Sequence, residues 1–168
     1  MRYSNIQYLN EDFKVVSKQQ DICYVRKTLK PSKRRRWNFV PREKMWLEKL
    51  ADWDRTPDLI SCEKYSVILT YVGKPINASN IPDDWEEQAK DIISGLIKYN
   101  CSHNDIYNEE ILVKDGKIYL IDFHHATMLR ENMSKKELQK FKIHFRVKET
   151  DEERIMNICQ NAWRAKHD

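Results

Sequence analysis

The chain has 168 residues, 40% hydrophobic and 33% charged, with a net charge of +4. That length suits one ordinary domain or two small lobes around a cleft. No apolar run approaches the roughly 20 residues of a membrane span, and the mild positive charge does not by itself argue for nucleic acid.

Residues Met1 to Asp12 carry no apolar signal-peptide core. Four scattered cysteines, Cys23, Cys62, Cys101 and Cys159, form no CxxC pair, so neither a zinc site nor a disulfide framework is expected, and a reducing cytoplasm is the default. Phe13 to Ser17 and Asp21 to Leu29 read as strands, with Lys18 to Gln20 as their turn. A basic stretch follows from Arg26 to Arg36, with Lys33, Arg34, Arg35 and Arg36 at its end; a solvated loop explains it better than a nucleic-acid contact, because a basic loop gives no base readout. Val40 to Trp53 reads as a helix with Pro41 in its first turn and Met45, Trp46, Leu47, Leu50 and Trp53 on an apolar face.

Two more strands are expected between Ile60 and Val72. Pro82 to Glu86 opens a long helix: Asp83 and Glu86 have capping-box spacing, and Trp85, Ala89, Ile92, Ile93, Leu96 and Ile97 share one face. Ser134–Glu137 and Thr150–Glu153 are further capping-box starts. The second should open a final helix with Ile155, Ile158, Cys159 and Ala162 inward.

The most informative stretch runs HNDIYNEEILVKDGKIYLIDFHHA from His103 to Ala126. Ile111-Leu112-Val113 and Ile118 to Ile121 flank Lys114-Asp115-Gly116-Lys117, and Asp-Gly between apolar runs is a strong hairpin signal. Asp105 and Asp122 would then sit on loops at one end of that hairpin. Two carboxylates held side by side suit a divalent cation and a hydroxyl nucleophile, the needs of phosphoryl transfer. The adjacent His124 and His125 lack a second histidine cluster and read as structural.

This order and spacing resemble the protein kinase-like superfamily. The resemblance implies an α+β, two-lobed fold: a reduced N-lobe of antiparallel strands and one helix, residues 1–72, and a short, mainly helical C-lobe, residues 73–168. It implies an ATP-dependent phosphotransferase in which Asp105 accepts the proton of the attacking hydroxyl, His103 supports the loop and Asp122 holds Mg²⁺ or Mn²⁺. Lys27, with Arg26 and Lys30 as alternatives in register, matches the phosphate-pairing strand lysine. Glu43, with Glu48 one turn later, matches its helix partner. Thr70 and Val72 match the lobe linker whose main chain meets adenine, with Leu69 behind them.

Three positions depart from the family pattern. No glycine precedes Gly73, so the glycine-rich phosphate cover is missing or built differently. The position of the usual metal-binding Asn is Glu110, still a hard oxygen ligand, with Asn108 as an off-register alternative. His124 replaces the glycine after Asp-Phe, and no protein-kinase APE segment follows. IDFHHA is similar to small bacterial kinase-like enzymes, among them lipopolysaccharide core sugar kinases and aminoglycoside-phosphotransferase-like kinases. The alternatives are a pseudokinase that binds nucleotide or a partner protein, and nucleotidyl transfer on the same fold. The acceptor, whether a sugar, another small molecule or a protein, is not written in the sequence, and five tryptophans leave room for a homodimer.

Overall fold

A computed structural model describes residues 6–10, 13–16, 18–19, 22–32, 34, 38–137, 139 and 149–168. The chain divides into two compact units, Met1–Val72 and Gly73–Asp168. Among the described residues no helix is long and apolar enough to cross a membrane.

In the first unit, β1 (Ile6–Asn10) pairs antiparallel with β2 (Phe13–Val16). A four-stranded antiparallel sheet has the order β3-β4-β6-β5, from Lys18–Gln19, Ile22–Thr28, Ser66–Thr70 and Leu59–Glu63. Lys18 to Gln20 was expected as a turn; instead Lys18 and Gln19 pair with Cys23 and Ile22, a tighter reversal than the apolar pattern suggested. Strand β1 carries too little alternation to be read from sequence.

Helix α1 (Val40–Lys49) packs on β5 and β6, burying Trp46 and Leu47. Each such side chain contributes about 1.5–3 kcal/mol. The helix ends earlier than the expected Trp53, because Leu50 closes it with its N–H on Trp46 O at 2.9 Å and the Trp53 N–H turns back to Leu50 O at 2.8 Å. Trp53 still reaches the core, while Met45 is exposed. Of the basic stretch, Lys33, Arg35 and Arg36 lie outside the described residues. Arg26 pairs with Glu63 at 2.8 Å, and Arg34 lies over the Tyr65 ring at 4.5 Å.

In the second unit β7 (Lys74–Pro75), β8 (Ile111–Lys114) and β9 (Lys117–Leu120) form an antiparallel sheet. Gly73, with φ +110°, lies so close to β8 that a Cβ there would meet Val113 O at 2.0 Å. The hairpin turn has positive φ at both Asp115 and Gly116, as the right-handed twist of the flanking strands requires. Helix α2 (Trp85–Lys98) packs on β9 and on α3 (Asp151–His167). Gln88 ties α2 to the hairpin: its Nε2 donates to Gly116 O at 2.8 Å and its Oε1 accepts from Ile118 N at 2.9 Å.

The Asp83 capping box does not form. Asp84 is the N-cap residue, and Asp83 instead accepts from Lys166 at the far end of α3 at 2.7 Å, a long-range partner that outcompetes the local one. On the α2 face Trp85, Ala89, Ile92 and Leu96 are buried, but Ile97 is exposed. Both later capping boxes form, Ser134 with Glu137 and Thr150 with Glu153. Ile155, Cys159 and Ala162 of α3 are buried.

Candidate active site

In the first unit, strand parity separates the candidate lysines. Arg26 points to the face where Glu63 lies, whereas Lys27 points inward and is buried. The Lys27 ammonium meets Glu43 Oε2 at 3.3 Å and lies 4.7 Å from the centroid of the Phe39 ring. Glu43 is fully buried. Glu48, the competing candidate, is half exposed and pairs with Lys44 one turn back. Lys30 is exposed. Of the two expected adenine contacts, the Thr70 N–H already donates to Asp58 O at 3.0 Å, and its hydroxyl accepts from Asp58 N at 2.9 Å. Asp58, the residue before β5, therefore engages the Thr70 donor, and Val72, two residues further on, is buried.

In the second unit, α2 ends in a residue of left-handed conformation, Asn100 with φ 51°, and Cys101 N–H returns to Leu96 O at 2.9 Å. The chain then enters the loop that carries His103 and Asp105. Ser102 forms an isolated bridge with Thr127, both N–H···O distances being 2.8 Å. This joins the loop to the segment after Asp122.

His103 is fully buried; its Nε2 bonds Ile121 O at 2.8 Å and its ring meets the edge of Phe123 at 4.8 Å. Burial pushes the His103 ring below its ordinary pKa against the pull of Asp151, Ile121 O, Asp122 and Asp105. The neutral ring donates from Nε2 and accepts the Asp105 N–H at Nδ1, 3.4 Å away. Asn104, left-handed at φ 69°, donates from Nδ2 to Ser102 O, His125 O and Thr127 Oγ1. Its amide conformation is thus fixed from three sides.

Sequence reasoning missed the residue that holds this loop. Asp151, the first residue of α3, accepts from His103 N at 2.6 Å, Asn104 N at 3.0 Å and Ser102 Oγ at 3.1 Å. A carboxylate that gathers three donors fixes its loop far more firmly than one water-exposed contact. Its only local signal was an acidic residue in a helix first turn, which the helix dipole already explains.

Asp122 has φ 71° and ψ 60°. A non-glycine residue in that region costs on the order of 1 kcal/mol and persists where its surroundings over-determine it. Here they do: the preceding Ile121 binds His103, and the Asp122 carboxylate contacts His124 Nδ1. His125 Nε2 lies 3.8 Å from Asp105 Oδ2. Burial, then the neighbouring His124, lowers the His125 pKa.

Glu110 accepts the Tyr107 N–H at 3.0 Å, and its own carbonyl accepts Ile121 N–H at 3.0 Å. Burial first, then the charge of Asp122, pushes the Glu110 carboxyl up to about 7, with Asp105 adding to the rise. Asn108, the off-register alternative, donates to Ile76 O at 3.1 Å.

The raised Glu110 pKa has a definite sign for stability. An acid whose folded pKa exceeds its unfolded one stabilises the fold below the unfolded pKa and loses that contribution as pH rises through the folded value. For Glu110 the window runs from its ordinary value of 4.5 to about 7. Glu110→Gln should therefore melt higher than the wild type at pH 8, with the gap closing by pH 5 (about one pH unit either side). Thermal melts across that range in metal-free buffer check this; a gap independent of pH would refute the assignment.

The family model described as the RIO domain matches residues 6–144. No curated protein matches the chain. Among solved structures, the chain is similar to the Cydia pomonella granulovirus kinase PK-1, at 19% identity and a TM-score of 0.50. The match covers 76% of this chain and 53% of that one. The chain thus spans about half the length of that kinase, and the likeness is one of fold. With the RIO domain model covering most of its length, the chain belongs to the RIO domain family and is a member of the protein kinase-like superfamily.

Proposed function

We propose that the chain is an ATP-dependent phosphotransferase that moves the γ-phosphate of ATP to a hydroxyl acceptor. The observation that carries this reading lies in the second unit. The Asp105 carboxylate sits on a loop clamped by Asp151, and the loop is tied to the segment that holds Asp122 in a left-handed conformation. The Glu110 pKa is raised by burial first and then by the charges of Asp122 and Asp105, and a divalent cation among these carboxylates would offset that repulsion.

Asp122 and Glu110 would hold such an ion. When bound, it would neutralise phosphate charge and orient the transferring group. Asp105 takes the proton of the acceptor hydroxyl as that oxygen bonds to the γ-phosphorus and the bond to ADP breaks. Asp105 itself stays oriented because His103 accepts its amide hydrogen and Asp151 holds the two residues before it. Lys27, fixed by Glu43, supplies the positive charge for the nucleotide phosphates. The Val72 main chain, with Thr70 beside it, receives adenine. The acceptor is a sugar, another small alcohol or a protein side chain, and the setting is cytoplasmic.

The test is a melting-temperature titration with ATP and Mg²⁺. ATP should stabilise the protein in a Mg²⁺-dependent way, and Asp122→Ala should abolish that dependence. Lys27→Met should weaken ATP binding about 10- to 100-fold, the equivalent of a charge-assisted hydrogen bond worth roughly 1.5–3 kcal/mol. If no nucleotide shifts the melt at millimolar concentration, the catalytic reading falls.

A second reading, a nucleotide-binding or protein-interaction module without transfer, draws on one observation. Both proposed metal ligands already have protein partners, Asp122 in His124 and Glu110 in Tyr107 N–H. Nucleotide binding without any detectable transfer would favour it.

A further inference from the structure

We propose that Asp105, His124 and His125 form a binding site for a transition-metal ion such as Zn²⁺, in which Asp105 is a ligand. The site differs in chemistry from the oxygen-only set of Asp122 and Glu110. Each of the three residues offers one ligand atom, and the three atoms lie within 4.8 Å of one another. His125 Nε2 and Asp105 Oδ2 are 3.8 Å apart. An ion bound tetrahedrally at about 2.0–2.2 Å separates its donors by roughly 3.4 Å, so the His125–Asp105 pair needs little closure and the pairs with His124 at most about 1.4 Å. Asp105 and His125 are 39% and 40% exposed and have the freedom to make it.

The third ligand, His124, is already set. Its ring is 9% exposed with Nδ1 against Asp122 Oδ1, the carboxylate-backed arrangement that orients metal-binding imidazoles. The backbone that carries both histidines is rigid too. Phe123–His125 is a single helical turn closed by Ala126 N–H on Phe123 O at 3.0 Å. The His125 carbonyl accepts from Asn104 Nδ2 at 3.1 Å, so the turn is tied to the residue next to Asp105. The two rings lie 4.0 Å apart.

Two imidazoles and one carboxylate match Zn²⁺, Co²⁺ or Ni²⁺, whereas Mg²⁺ prefers oxygen donors throughout. A carboxylate engaged by such an ion cannot accept a proton from an acceptor hydroxyl. On the phosphotransferase reading, occupation of this site therefore switches the enzyme off; the metal binding itself does not depend on that reading.

The test is calorimetric titration of the full chain with Zn²⁺, without nucleotide and with millimolar Mg²⁺ present, alongside a Co²⁺ titration followed by visible absorption. A single ion should bind, with the ligand-field bands of nitrogen-ligated Co²⁺. His125→Ala, at a half-exposed position whose folding a thermal melt can verify, should weaken Zn²⁺ binding about 100-fold or more, since losing even an outer partner costs roughly 10–100-fold. Asp105→Asn should also weaken it clearly, and His167→Ala should leave it unchanged. Absence of Zn²⁺ binding, or binding unaffected by His125→Ala or by Asp105→Asn, overturns the proposal. Absence of phosphate transfer in Mg²⁺ alone, with Zn²⁺ binding as expected, would count against the catalytic reading alone.

Discussion

Asp105→Asn is expected to lower phosphate transfer by about 10²–10⁴-fold, the range associated with removing a positioned general base. Asn has the same shape and hydrogen-bonds similarly, but it cannot take a proton. The loop should not notice the exchange, because its conformation depends on the Asp105 main chain and on its neighbours. The Asp105 N–H bonds His103, while the amides of His103 and Asn104 bond Asp151. ATP binding should accordingly survive, and the loss should appear in the rate of transfer. Single-turnover transfer from labelled ATP, paired with an ATP-dependent melt, separates the two. A variant as fast as the wild type would remove Asp105 from the chemistry.

The largest effect on stability is expected from Asp151→Ala. The variant leaves the His103 and Asn104 amides, in residues that are 0% and 4% exposed, without their acceptor. Each stranded buried donor costs about 1–3 kcal/mol, so the second unit should lose roughly 2–6 kcal/mol. The Ser102 hydroxyl can turn to another partner and adds little. Asp151→Asn, which keeps one acceptor oxygen, should fall between. Hydrogen exchange at residues 103 and 104 is the sharpest readout, since it reports this unit directly in a chain whose two units need not unfold together. Unchanged protection in Asp151→Ala would show that the clamp is dispensable. A folded variant with a mobile loop should also transfer phosphate slowly, because misplacing a catalytic group by about 1 Å can cost on the order of 10²-fold.

The parts of the fold that were legible in sequence are those whose cause is local. The Asp115-Gly116 turn announces itself because few residues accept positive φ. The Thr150–Glu153 capping box is a reciprocal bond across three residues. The pairing of Lys27 with Glu43 was expected from family spacing, and strand parity separates Lys27 from Arg26 in a way the sequence left open.

The misses share a cause of the opposite kind. Asp83 has the right local spacing for a cap, yet Lys166 sits beside it in the fold. Met45 and Ile97 lie on periodic apolar faces but at the edge of the packed stripe, where burial ends. Asp151 is the extreme case: all three donors it gathers lie 47 to 49 residues earlier in the chain.

That separation has a consequence for the order in which the protein becomes competent. The residues of the loop leave the ribosome well before α3 does, and domains take shape as their segments emerge. Until Asp151 is made, the His103 and Asn104 amides lack their acceptor, although the hairpin and α2 beside them can already form. During synthesis, then, a nascent chain can assemble this hairpin and long helix while the His103–Asp105 loop stays unset until α3 is made.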